Sequence, residues 1–286
     1  MGIIKIGLSV QGGGTRGIYA AGALDVLLEH IVEFPFVAGT SAGSLSLANY
    51  LSKDKGRTRF VIAELMGDPR FVSVRNAIFK GTAFDFDYLF YEIPKKESPF
   101  NFGQFASNPA EFAICATDLN TGKRVDFLKS KTPDPFKALQ ASSSLPLLSR
   151  PVYVQGTPCL DGGPACSLPY MVPLQYGMDK VVVIATREKG YRKKPVKRLS
   201  MSICRSMYKS FPEFIECYSK MPDTYNRQME ELDKLEREGK AFVLYPSVPP
   251  TVKVADKDKE KLNDLYYLGK KDMESAIGRL MEFIDE

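Results

Sequence analysis

Apolar residues come in short unbroken runs, each closed by a glycine-rich or polar turn and followed by a longer stretch of helical periodicity. Ile3 to Val10 is the first run, rich in Ile, Leu and Val, and reads as a buried strand. Gly12-Gly13-Gly14-Thr15-Arg16-Gly17 then opens a helix from about Ile18 to Ile31, apolar on most sides with Asp25 and Glu29 along one exposed line. Phe34 to Ala38 is a second strand, and Gly39-Thr40-Ser41-Ala42-Gly43 turns it into a helix reaching about Leu51. Two successive strand–tight turn–helix units predict a parallel sheet with right-handed crossovers.

Further on, the pattern predicts strands at Glu111–Thr117 and Arg124–Leu128 around an Asn120-Thr121-Gly122 turn, and a helix near Pro135–Ala141. Short strands near Pro151–Val154 and Pro158–Leu160 lead into Asp161-Gly162-Gly163, and Lys180–Thr186 is another apolar strand. Asp223–Glu238 is an amphipathic helix closed by Gly239, Ala241–Tyr245 a strand and Asp258–Phe283 mostly helix. Residues 66–108 interrupt this rhythm with many phenylalanines and tyrosines, which suit either an acyl-chain groove or lid, or core packing.

Composition narrows the function classes. The chain has 286 residues, 44% of them hydrophobic and 26% charged, as in an ordinary globular protein. A net charge of +5 without a nucleic-acid motif gives no reason to expect nucleic acid as a partner. Five scattered cysteines without a C-x-x-C pair, and a single histidine, supply no zinc set and favour free thiols in a reducing compartment. The first ten residues lack a signal-peptide layout, and position 6 is Ile where a myristoylation site needs Ser or Thr. The uncharged run Phe34–Ser52 is too rich in Gly, Ser and Thr for a membrane span. A cytoplasmic location is expected, with peripheral membrane contact through the basic stretch 187–209, which otherwise reads as a solvated face.

The candidate chemistry centres on Ser41. In G-x-S-x-G a serine on a sharp strand-to-helix turn exposes its hydroxyl, and the helix amides behind it favour a developing anion. Chance alone supplies such a pentapeptide in about one chain in ten of this length, so its placement carries the argument. Acyl transfer also needs a base and an oxyanion site. The lone His30 precedes Ser41 and ends the first helix, which argues against a Ser-His-Asp triad. Carboxylates remain: Asp161, before two glycines, is either the base or part of a plain turn, while Asp118 reads as a hairpin turn. Gly12, Gly14 and Gly17 match the dinucleotide fingerprint G-x-G-x-x-G, but the second strand ends in the serine turn where an acidic ribose ligand is expected. The alternative use of that loop is to bind an oxyanion with its backbone amides.

Gly-Gly-Gly-Thr-Arg-Gly, Gly-Thr-Ser-Ala-Gly and Asp-Gly-Gly, in this order, resemble the patatin-like phospholipase family over roughly residues 3–186. The stretch Thr186–Pro195 resembles that family's bacterial esterase branch. The resemblance implies a three-layer α/β/α sandwich with a mostly parallel sheet, in which 3–186 is the catalytic domain. Residues 187–286 would then be a C-terminal helical extension, with one strand, packing on the same fold. It also implies a Ser–Asp dyad of Ser41 as nucleophile and Asp161 as general base, with amides of Gly12, Gly13 and Gly14 as the oxyanion hole. Thr15, Arg16, Gly17, Gly39, Gly43, Gly162 and Gly163 complete the motifs; Arg16 would brace the loop or lie near an anionic head group. Gln11, where an acidic residue is common, and Cys166, where a polar one is, depart from the pattern. The implied activity is lipid acyl-ester hydrolysis through an acyl-enzyme, with no metal or organic cofactor. The alternatives are a small-ester hydrolase or acyltransferase without lipid preference and, further off, a dinucleotide-binding protein. Head group, acyl length and oligomeric state are not encoded in these motifs.

Overall fold

A computed structural model describes residues 4–73, 75, 76, 79 and 81–286. Its centre is an eight-stranded, mostly parallel sheet built from β1 (Ile6–Val10), β2 (Phe36–Thr40), β3 (Glu111–Asp118), β4 (Arg124–Leu128), β5 (Val152–Val154), β6 (Thr157–Asp161), β7 (Lys180–Ile184) and β8 (Ala241–Leu244). The order is β5-β6-β3-β2-β1-β7-β8, with β4 also paired to β3. Strands β1, β2, β3, β7 and β8 run parallel, whereas β4, β5 and β6 add antiparallel pairings.

Alternate residues of the central strands enter different cores. Leu8, Val10, Val37, Phe112, Ile114 and Val182 face α1 (Gly17–Glu29), α2 (Ala42–Leu51) and α11 (Lys259–Asp285). Phe36, Ala38, Ala113, Cys115, Val181 and Val183 face the opposite layer, formed by α8 (Met171–Gln175) and α10 (Pro212–Arg237). Both faces are covered, which is why these strands read as continuous apolar runs instead of alternating ones. The remaining helices are α3 (Arg57–Leu65), α4 (Ile93–Lys96), α5 (Phe102–Ser107), α6 (Pro135–Ser142), α7 (Gly163–Cys166) and α9 (Arg198–Met207).

Several boundaries differ from expectation. The first strand starts at Ile6 and the second at Phe36, after Pro35, which has no N–H for a ladder; Ile3 lies outside the described residues. Helix α10 starts eleven residues before the expected Asp223 and carries Pro222 in its interior. Burial of Phe214, Pro222 and Tyr225 against the sheet layer offsets the hydrogen bond that the proline cannot make. Helix α9 lies in the basic stretch, where charge hid its apolar periodicity.

The topology of β3 positions the site. Ala116 and Thr117 pair with both β4 and β6, and residues 113–115 pair with both β4 and β2. Strands β2 and β6 therefore share one edge of β3 and meet end to end. Thr40 pairs with Cys115 and Asp161 with Ala116, so the residues that end β2 and β6 become neighbours.

Candidate active site

Ser41 occupies the single-residue link between β2 and α2, with φ 56° and ψ −128°. A non-glycine residue rarely takes a left-handed φ, and doing so costs on the order of 1–3 kcal/mol. Surrounding contacts hold it there. The Ser41 N–H donates to Ser142 Oγ at 2.9 Å, Ser142 Oγ donates to Cys115 O at 2.6 Å, and Ser44 Oγ lies 3.1 Å from the same hydroxyl. Ser142, at the end of α6, thus ties the turn to β3. Gly43 lets α2 start directly against β1, since a Cβ there would stand 2.4 Å from Val10 O.

Asp161 is 3% exposed and faces Ser41. Its Oδ1 accepts the Gly163 N–H at 2.7 Å, and its backbone is fixed by Asp161 N–H to Ser144 O and by Thr117 Oγ1 to Asp161 O. Oδ2 has no hydrogen-bond partner among the described residues, leaving one buried lone-pair face free to receive a proton. Burial pushes the Asp161 carboxyl up to about 6, against smaller downward effects of the Ser41 hydroxyl, the Gly163 amide and the Lys193 ammonium. The Ser41–Asp161 contact stops short of a full hydrogen bond, as apo geometries often do.

The glycine loop packs on the serine turn: a Cβ on Gly12 would lie 2.9 Å from Thr40 O and 3.1 Å from Ser41 Cβ. The three expected oxyanion glycines divide here. Gly12 N–H is already donated to Ser167 O at 3.0 Å and is not free, whereas the N–H groups of Gly13 and Gly14 have no acceptor among the described residues. The loop is braced by Thr15, whose N–H donates to Val254 O and whose hydroxyl donates to Lys253 O at 2.7 Å. Arg16, expected to brace the loop or lie near a head group, donates its N–H to Gly13 O at 3.3 Å, while its buried guanidinium Nε has no hydrogen-bond partner among the described residues. Gln11 joins the loop to β7 by accepting the Thr186 N–H at 2.8 Å, and buried Cys166 accepts from Gln228 Nε2, so neither departure disturbs the site.

An apolar cavity opens at Ser41. Gly14 and Thr15 of the glycine loop and Ala42, Leu45 and Ala48 of α2 line it, α3 contributes Val61 and Ile62, and Phe71, Phe84, Phe86, Phe90, Phe100, Phe102 and Phe136 supply most of its aromatic wall. The aromatics of 66–108 pack on one another and also line this cavity. Arg57, a buried cavity residue that no motif flags, is held by Asn49 Oδ1 at 3.0 Å and by the Phe100 ring. Of the other candidates, Asp118 accepts from Asn120 N–H and Thr121 Oγ1 as a hairpin turn does. His30 is exposed at the C-terminal end of α1. That helix runs back from the glycine loop, so His30 lies at the end of the fold away from Ser41.

The sequence profile of the patatin-like phospholipase family matches residues 8–175, and that of a domain of unknown function, DUF6363, matches 211–285. The uncharacterized protein YjjU of Escherichia coli K12 is 29% identical over 187 residues, covering 64% of this chain and 52% of that protein. Lysophospholipase NTE1 of Scheffersomyces stipitis is 28% identical over 188 residues, covering 63% of this chain and 11% of that protein. The chain thus spans about half of one curated relative and about a tenth of the other. The crystal structure of VipD from Legionella pneumophila aligns with a TM-score of 0.50 at 14% identity, over 99% of this chain and 67% of that one. With its family profile matched over residues 8–175, the chain belongs to the patatin-like phospholipase family.

Proposed function

We propose that this protein hydrolyses acyl esters of lipids through an acyl-enzyme on Ser41, with Asp161 as general base. The observation that carries this reading is the meeting of β2 and β6 on one edge of β3, beside an aromatic-lined cavity. As Ser41 Oγ attacks the acyl carbonyl, its proton passes to Asp161. The Gly13 and Gly14 N–H groups hold the oxyanion, because those of Gly12 and Ser41 are already donated. Collapse breaks the ester C–O bond, and Asp161 returns the proton to the departing alcohol. Water, deprotonated by Asp161, then cleaves the acyl-enzyme and restores the Ser41 hydroxyl. A carboxylate raised to about 6 is ionised at neutral pH yet more basic than an exposed one, which suits this task. The name of the NTE1 relative, a lysophospholipase, agrees with lipid esters as the substrate class. Labelling by a fluorophosphonate probe tests the assignment: Ser41→Ala is expected to abolish it and Asp161→Asn to slow it strongly. Undiminished labelling of Ser41→Ala rejects Ser41 as nucleophile.

The basic stretch supports a reading of peripheral membrane contact, in a narrower form than its charge count suggests. Lys189 pairs with Glu236 and Arg192 with Glu230. Helix α9 buries Cys204 and Tyr208 beneath it but leaves Leu199, Ile203 and Met207, one turn apart, exposed at 73%, 40% and 47%. Exposed Lys197, Arg198, Arg205 and Lys209 surround this stripe. An apolar line flanked by cations is the pattern of a helix lying in a lipid interface. No helix among the described residues is long and apolar enough to cross a membrane. Residues 187–286 belong, in this reading, to the same folding unit as the catalytic part.

A further inference from the structure

Three cations gather beside the dyad: Arg16 at the end of the glycine loop, and Arg187 and Lys193 on the segment after β7. None of them lines the apolar cavity. Lys193 Nζ donates to Ser167 Oγ at 3.2 Å and sits 4.5 Å from the centroid of the Tyr225 ring. Its backbone is clamped to α10 by Asn226, which accepts from Lys193 N–H at 2.8 Å and donates to Lys193 O at 3.1 Å. The Arg187 guanidinium lies 4.2 Å from the centroid of the Tyr191 ring.

Asp161 acts on Lys193 and Glu188 on Arg16 through charge, but neither closes an ion pair with this cluster. No carboxylate forms an ion pair with Arg16, Arg187 or Lys193 among the described residues, whereas the adjacent Lys189 and Arg192 each have one. The Nε atoms of Arg16 and Arg187 are buried without a hydrogen-bond partner among those residues. Glu188 is near enough to act on Arg16 electrostatically, but its own Oε2 is buried and unpartnered. Burial is the main cause that brings Arg16 down to about 10 and Lys193 down to about 8; repulsion from Arg187 adds to the first, and repulsion from Arg16 and Arg187 adds to the second against the upward effect of Asp161. Bringing like charges together in a half-buried place is unfavourable unless an anion joins them. Guanidinium forks and an ammonium are the donors that suit the oxygens of a phosphate.

We propose that Arg16, Arg187 and Lys193 form an anion subsite for a phosphate group, which makes phosphate-bearing acyl esters the preferred substrates. The substrate half of this inference rests on the acyl-hydrolase reading; the subsite itself does not. The glycine loop links the two regions. Gly14 and Thr15 line the acyl cavity on one flank, while Gly13 packs on Thr186 and Arg16 reaches Arg187 on the other. An ester carbonyl at the Gly13 and Gly14 amides would send its acyl chain one way and its phosphate the other.

The test has two arms on the full-length chain. In the first, calorimetry of Ser41→Ala measures binding of inorganic phosphate and of glycerol 3-phosphate. Saturable binding is expected, weakened about tenfold or more by Arg187→Gln or Lys193→Gln, partly restored by Lys193→Arg, and unchanged by Lys194→Gln or Lys197→Gln. In the second, kcat/KM is compared for 1-acylglycerol 3-phosphate and 1-acylglycerol of the same chain. The preference for the phosphate-bearing ester is expected to fall about tenfold in the same two variants. Absent phosphate binding, or binding that both Gln variants leave intact, overturns the subsite. Phosphate binding without any preference between the esters assigns it to free phosphate and overturns the head-group half. Phosphate binding with neither ester hydrolysed keeps the subsite and rejects the acyl-hydrolase reading. Arg187→Lys joins the series in case a Gln variant unfolds, with thermal midpoints as the check.

Discussion

At the residue scale, Asp161 is expected to set opposing demands on activity and stability. Burial raises its carboxyl from 3.8 to about 6, so the folded state holds the proton more tightly than the unfolded chain. Stability is therefore fully retained below about pH 3.8 and is eroded as pH rises through about 6, while a general base works only above that point. Asp161→Asn is expected to lower kcat by about a thousandfold or more. At pH 8 it should raise unfolding free energy by on the order of 2–3 kcal/mol, a gain that vanishes near pH 4. Denaturant titrations at the two pH values check the second claim, and a pH–rate profile of wild type with an acidic limb near pH 6 checks the first. Ser142→Ala removes the acceptor of Ser41 N–H and the tie to Cys115 O. It should cost about 1–3 kcal/mol and slow fluorophosphonate labelling, because the left-handed serine loses its support. Nothing local in the run Ser142-Ser143-Ser144 says which chain end a hydroxyl will meet.

At the element scale, α2 and the aromatic segment line the cavity proposed as an acyl slot, and α9 presents the apolar stripe proposed to meet lipid. Ala48 is 4% exposed on the slot side of α2. Ala48→Phe is expected to fill the slot and lower kcat/KM for long-chain p-nitrophenyl esters about tenfold or more, with short-chain esters affected least. Equal losses at all chain lengths would locate the acyl chain elsewhere. For α9, Leu199→Asp with Ile203→Asp should abolish pelleting with anionic vesicles without lowering the thermal midpoint, because both side chains are exposed. Strand runs, the serine turn and the Asn120-Thr121-Gly122 hairpin were legible because each depends on short-range periodicity or on residues with special backbone freedom. The early start of α10 was not, because Pro222 reads locally as a stop and only burial against the sheet overrides it.

At the scale of the whole molecule, the glycine loop depends on the far end of the chain. Lys253 O and Val254 O hold Thr15, β8 extends the sheet beyond β7, and α11 covers α1 with Tyr266 OH donating to the buried Asp25. Close helix packing is permitted by Gly22 and Gly269, where a Cβ would come within 2.1 Å and 2.0 Å of backbone oxygens on the facing helix. Ending the chain after Thr186 is therefore expected to yield no cooperative thermal transition, since the α1 face and the β7 edge would lie open. A soluble, cooperatively melting fragment would show that the two parts fold separately.

The main strand runs, the parallel crossovers, the serine on its tight turn and the argument against a histidine triad came from sequence, since they follow from periodicity, glycine placement and a single histidine. Sequence singled out Asp161 by its glycines and by resemblance, but why it meets Ser41 is a matter of tertiary structure, since that depends on β2 and β6 sharing an edge of β3. It also decided which glycine amides remain free, since Ser167 takes the one from Gly12. The basic stretch was likewise divided by packing: Lys193 lies near Asp161 and Arg187 near Arg16, while their neighbours pair with α10 or face solvent. Periodicity records which side of an element is apolar; it holds no information on which distant backbone or charge that side will meet.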